Sequence, residues 1–216
     1  GWWTNEGKKI SKSLGNVINP IEIINQYGLD QIRYFVLREI TFGNDGDFSI
    51  SALKSRINAD LSNDLGNLCQ RSLTMINKHC NSRIPKRDNI GDTEKQFLEK
   101  LFHLLPELSL HIDNQEINLY LKKIWDIVAE TNKYFNDSKP WELKDTNKKS
   151  FENILYVTAD IIKQIAIMIY PVMPQTSVKI LNLFSIEEDS IKIDSLNINI
   201  ENIELGNVKP LFPRVE

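Results

Sequence analysis

Cysteine is almost missing from this chain. Cys69 and Cys80 are the only two in 216 residues, and they lack the close CxxC pairing of a zinc site or a disulfide framework. Long hydrophobic runs are missing as well. The most apolar stretch, Ile161 to Met173, is broken by Lys163, Gln164 and Pro171, so it falls short of the ~18 apolar residues that cross a bilayer. It reads instead as a buried helix and its exit. The opening residues Gly1-Trp2-Trp3-Thr4-Asn5 have neither the charged start nor the apolar core of a secretory signal, which makes a cytoplasmic protein the expectation. An excess of positive charge is lacking too. With 26 Lys and Arg against 29 Asp and Glu, the net charge is −3, so any affinity for nucleic acid has to come from local segments. His79, His103 and His111 fall at no metal-ligating spacing, and no metal site is expected. There is no internal repeat, no phosphate-cradling GxxxxGKS loop and no Ser/His/Asp signature.

What remains is helical periodicity. Residues 1–19, rich in Gly, Asn, Lys and Ser, read as a loop. Asn19-Pro20 then offers an N-cap followed by a proline at the first helical position. A second short helix begins near Asp30, with Ile32, Phe35, Val36 and Ile40 on one side. Thr41 to Asp47 is turn-rich and reads as a loop. From Ser49 to Cys80 the residues Leu53, Ile57, Leu61, Leu65 and Leu68 recur as one buried stripe. Further helices are predicted over Thr93 to Ile112, kinked or split by Pro106, over Glu116 to Tyr134, over Lys148 to Tyr170, and over Gln175 to Phe184. The tail from Ser190 alternates like a strand but has no obvious partner, and Lys209 to Arg214 reads as an extended segment lying across a helical surface. The predicted fold is all-α, a helical bundle preceded by a loop and a small helical linker. Three parts are expected: residues 1–48, 49–189 and 190–216.

The sharpest chemical feature is Lys8-Lys9-Ile10-Ser11-Lys12-Ser13-Leu14-Gly15-Asn16. Lysines on a mobile loop can close over a triphosphate and stabilise charge that grows in a transition state. Serine hydroxyls can donate to phosphate oxygens, and a glycine lets the loop reshape. A merely solvated basic loop is the alternative reading of these residues. A second candidate is Asn67 with Arg71, one helical turn apart and beside the leucine stripe. An amide and a planar guanidinium can read the edge of an unstacked base, although polar pairs at this spacing commonly just face solvent. The third is Lys139-Pro140-Trp141. An exposed indole there can stack on a single-stranded base, with Lys139 and Lys144 near enough in sequence to hold phosphates. Trp125, within an apolar helix face, reads as core.

The Lys-Ile-Ser-Lys-Ser segment resembles the second signature of class I aminoacyl-tRNA synthetases, with Ile10 in place of the usual methionine. Its flanks, Tyr27 to Phe35, Phe42-Gly43-Asn44-Asp45-Gly46-Asp47-Phe48 and Asn58 to Asn67, resemble the methionyl-tRNA synthetase family in particular, and in the family's order. That resemblance implies a methionine–tRNA ligase that activates methionine with ATP and magnesium and transfers it to tRNA. This chain would be its C-terminal part, inactive by itself and working with the catalytic domain of the same polypeptide. Lys9 and Lys12 would be the catalytic lysines, and Lys9, Ser11, Lys12 and Ser13 would bind ATP. Asn67, Arg71 and Trp141 would recognise the CAU anticodon in the stem-loop of tRNA(Met). Two rivals stand beside this: another class I synthetase of the isoleucine, valine, leucine or cysteine type, and a non-catalytic RNA- or protein-binding module in which the loop is a vestige.

Overall fold

A computed structural model describes residues 2–216. Helices dominate it. After the N-terminal turn come α1 (Pro20–Tyr27) and α2 (Leu29–Glu39), then one uninterrupted helical run made of α3 (Ile50–Arg56), a π-helical segment (Ile57–Gly66) and α4 (Asn67–His79). The remainder is α5 (Asp92–Asp113), α6 (Ile117–Ser138), the single turn α7 (Pro140–Leu143), α8 (Lys148–Ile169) and α9 (Pro174–Leu183).

The caps match the local chemistry. Asn19 accepts from the amide of Ile21 at 3.1 Å to start α1, with Pro20 in the first turn. Ser49 caps α3 through the amide of Ala52 at 3.2 Å, and Asn147 caps α8 through Ser150. Pro106 lies inside α5 without splitting it. It forfeits one ladder bond, but the helix runs unbroken from Asp92 to Asp113, so packing outweighs the loss there. Helix α8 is the central rod: from Ile154 to Ile169 every residue is buried. It packs on α4, α5, α6, α7 and α9, which is why its sequence is apolar on nearly all sides.

Two segments read as loops contain strands. β1 (Trp3–Asn5) pairs antiparallel with β2 (Lys8–Lys9) and parallel with β3 (Gly46–Phe48), giving a sheet in the order β2-β1-β3. Strands this short carry no period of their own, and the β1–β3 partners lie about forty residues apart, Trp3 opposite Gly46. The sheet is held by Asp47, whose carboxylate accepts from the Thr4 hydroxyl at 2.5 Å and the Gly7 amide at 2.7 Å. Those two bonds, the hydroxyl first, hold that carboxyl below its ordinary range.

The tail from residue 190 is not a strand. It makes a 3-10 turn over Ile193–Asn197 and continues irregularly, its backbone bonding to Ser82, Ile84 and Leu183. Buried Lys163 anchors it by donating to the carbonyls of Leu196 at 3.0 Å and Ile198 at 2.7 Å, while pairing with Asp160 at 2.7 Å.

Candidate active-loop and nucleic-acid interface

The lysine turn is built around Asn16. Its side chain donates to the carbonyl of Lys9 at 3.0 Å and accepts from the amide of Ser11 at 2.9 Å. Asn5 of β1 in turn donates to the Asn16 carbonyl at 2.8 Å. Ser11 caps the 3-10 turn Lys12–Leu14 by accepting from the amide of Leu14, and its hydroxyl lies 3.1 Å from that of Ser13. Gly15 closes the turn at φ 64°, a left-handed conformation that glycine adopts without a steric penalty. Lys9, Lys12 and Ser13 are exposed and Ser11 is half-buried, so all four expected residues lie on one short accessible segment running from the end of β2 through the turn. Among the described residues no ion pair involves Lys8, Lys9 or Lys12. Their ammonium groups are therefore available to a polyanion. Asn5 and Asn16 are the residues sequence reasoning missed here; an Asn directly after a turn-closing Gly was the available signal.

The second site lies on the solvent side of α4. Asn67 is its first residue and exposed, and Arg71 follows one turn later, half-buried. The Arg71 guanidinium is 5.4 Å from the centre of the Phe135 ring and 5.7 Å from that of Trp141. Its Nη1 donates to Asn136 Oδ1 at 2.9 Å, which fixes the plane of the fork and leaves other N–H groups outward. Trp141 remains 39% exposed. It is placed by Lys139, whose φ of 45° reverses the chain after α6, and by buried Pro140, which starts α7. Its ring meets Phe135 edge-on at 6.2 Å. An open groove of about 390 Å³ runs along this cluster, with Gln70, Thr74 and Lys78 on its α4 side. Gln70 also faces the adjoining cleft that contains Asn67, so the three expected residues share one continuous side of the bundle. Phe135 and Asn136 support that surface and were not singled out in the sequence, because their partner lies 65 residues away.

The other sequence candidates have separate environments. Lys139 pairs with Glu142 at 3.3 Å and Lys144 with Asp145 at 3.7 Å, all solvent-facing. Trp125 is buried, donates to the Asp60 carbonyl at 3.2 Å and stacks at a tilt on Tyr34. No group of three or more His, Cys, Asp or Glu among the described residues is placed to hold a metal ion. No helix among them is long and apolar enough to cross a membrane.

A lysine-serine turn on a small sheet leads into a helical bundle that carries an indole and a guanidinium side by side on its surface, and the class I aminoacyl-tRNA synthetases are the class of protein that this chain matches. The known families divide the chain in the same order. Residues 1–73 match the tRNA synthetases class I (M), and residues 84–210 match the anticodon binding domain of methionyl tRNA ligase. The chain belongs to the methionyl-tRNA ligase family, which sets aside the isoleucine, valine, leucine and cysteine relatives.

A methionine–tRNA ligase of Brucella suis biovar 1 is 39% identical over 216 residues, covering 99% of this chain and 42% of the relative. One of Mesorhizobium japonicum is 42% identical over 189 residues, covering 88% and 37%. The solved Mycobacterium tuberculosis methionyl-tRNA synthetase in complex with methionyl-adenylate superposes with a TM-score of 0.94 at 36% identity, across 99% of this chain and 43% of that one. The chain thus spans about two-fifths of the length of these relatives.

Proposed function

We propose that this chain is the anticodon-reading part of a cytoplasmic methionine–tRNA ligase and also carries its ATP-closing loop. In this reading residues 1–48 form the loop and linker, 49–189 the anticodon-binding domain, and 190–216 a tail that packs on it. The observation that carries the proposal is the Arg71 guanidinium beside the partly exposed Trp141 indole, with Asn67 one turn before Arg71 on the same helix. The indole stacks on one splayed base of a CAU anticodon, while the amide and the guanidinium bond its Watson–Crick edge. RNA loops expose such edges, and a rigid cluster pre-set by Phe135 and Asn136 spends little entropy on ordering when they bind.

The lysine turn serves the chemical step. In the whole ligase, ATP with magnesium reacts with methionine to give methionyl-adenylate and pyrophosphate, and the methionyl group then passes to tRNA. Lys9 and Lys12 stabilise the phosphate charge that leaves with pyrophosphate, and the Ser11 and Ser13 hydroxyls bond its oxygens. The missing part of the site comes from the catalytic domain of the same polypeptide. This chain by itself is expected to bind the tRNA(Met) anticodon stem-loop without charging it.

The decisive experiment measures binding of the chain to a hairpin RNA bearing a CAU loop. Trp141→Ala weakens binding by about 1–3 kcal/mol with the circular dichroism spectrum unchanged. Equal affinity of the parent and Trp141→Ala, both folded, overturns the stacking role.

A further inference from the structure

The end of the chain lies against the π segment at several points. Asn58 and Val215 bond in both directions: the Asn58 amide donates to the Val215 carbonyl at 2.8 Å, and its Oδ1 accepts from the Val215 amide at 3.0 Å. Arg214 donates to Asn63 Oδ1 at 2.7 Å, and the Ser62 hydroxyl donates to the Pro213 carbonyl at 3.4 Å. Phe212, 7% exposed, lies over Gly66. A Cβ at Gly66 would come 2.8 Å from the Leu61 carbonyl oxygen, so the wide turn requires glycine there, while the Phe212 ring, 3.4 Å from that position, closes over it.

The π segment decides which way α4 faces. Leu53, Ile57, Leu61 and Leu65 are all buried, at a strict spacing of four. In an α-helix that spacing drifts by roughly 40° per step, which would carry Leu65 out of the core. A π turn holds more residues than an α turn and cancels the drift. The same correction sets the azimuth of Asn67, the first residue beyond it, and of Arg71. A π run this long is rare because α geometry competes with it. The buried leucines hold it from inside, and the tail grips it from outside.

We propose that Asn58 and Phe212 are positioning residues: the segment 210–215 clamps the π segment and so fixes the direction in which Asn67 and Arg71 meet an RNA base. The cleft between tail and helix, about 300 Å³, has Asn67 and Gln70 on one wall and Leu211 and Arg214 on the other, so the clamp also forms a side of the site. This inference rests on the base-reading function proposed above.

The test compares affinity of the full chain for hairpin RNAs with CAU and UAU loops. Asn58→Ala and Phe212→Leu lower the preference for CAU by about threefold or more, the scale of a misplaced hydrogen bond, while affinity for the UAU hairpin changes less. Asn58→Gln keeps both the donor and the acceptor for Val215 and recovers part of the preference. General loss of packing would weaken both hairpins alike and would not be rescued by glutamine. Should Asn58→Ala fail to fold, Phe212→Leu and Asn58→Gln still decide. Parental preference in every folded clamp variant overturns the proposal. Asn67→Ala and Arg71→Ala run in parallel separate the two ideas. If they abolish the preference and the clamp variants keep it, the clamp alone is wrong; if they leave it untouched, base reading itself is wrong and the clamp falls with it.

Discussion

Asp30 accepts the backbone N–H of Thr176 at 2.6 Å, joining α2 to the first turn of α9 across most of the chain. Three residues along α2, Arg33 donates to the carbonyls of Val172 at 2.7 Å and Pro171 at 2.9 Å, at the exit of α8. The carboxylate thus faces a helix start and the guanidinium a helix end, each the favourable sign for its terminus. Tyr34 adds a bond to Asp60 at 2.7 Å, and Arg56 bridges Asp60 and Glu39. This polar joint fixes the linker to the bundle.

Asp30→Ala removes a buried acceptor from that joint and leaves an amide at the start of α9 without its partner. Stability should fall by about 1–2 kcal/mol, as for loss of a helix cap, read as a lower urea midpoint. An unchanged midpoint would mean the joint adds nothing to the fold.

Lys163 is 1% exposed and holds Asp160 and two tail carbonyls at once. Lys163→Ala strands a buried carboxylate and should cost about 3–5 kcal/mol. Lys163→Met, which fills the space, should cost less than the alanine. Thermal unfolding of the two variants checks the order.

In the whole ligase, Lys12→Ala should slow adenylate formation by about 10²–10³-fold, as when one donor to a developing charge is lost. Methionine binding should change little, since the interaction grows only in the transition state. Pyrophosphate exchange beside equilibrium methionine binding gives both readings, and a normal exchange rate refutes the assignment.

Burial pushes the Cys69 thiol up to about 12 from an ordinary value of 9.0. Burial, with Glu152 adding to it, pushes Cys80 up to about 11. Both therefore stay protonated at pH 8 and resist alkylation. Iodoacetamide should label Cys80 slowly and Cys69 only in denaturant. Because the folded values are raised, the stability they contribute is intact below pH 9 and is lost as pH climbs through 11 and 12. Urea midpoints should hold steady from pH 7 to 8.5 and decline above 9.

Much of the bundle was legible because its helices bury one face, and 3.6-residue periodicity records that burial directly. The leucine stripe gave the long helix but concealed its π segment. The repeated four-residue spacing is the signal, but over so few turns it also fits an ordinary α pattern. The small sheet was hidden because its pairing joins residues 3–5 to residues 46–48, a relationship that local pattern does not encode. The lysine turn was readable as chemistry, whereas the Asn16 side chain that shapes it was not. Likewise Asn67 and Arg71 could be placed on a shared face from spacing alone, but the Arg71–Trp141 contact depends on how α6 and α7 fold back, which only the tertiary structure supplies.

The parallel pairing of β1 with β3 has a consequence for chain length. β3 ends at Phe48 and the helical run starts at Ile50, so a helical strut of no more than about 25 Å separates the sheet that bears the lysine turn from Asn67. Apart from positions such as Gly66, residues along it can change identity, but their number cannot. Inserting a single amino acid between Ile50 and Arg56, where the run is α-helical, would swing everything beyond it by about 100°, turning the amide and guanidinium to a new bearing while leaving the turn where it was.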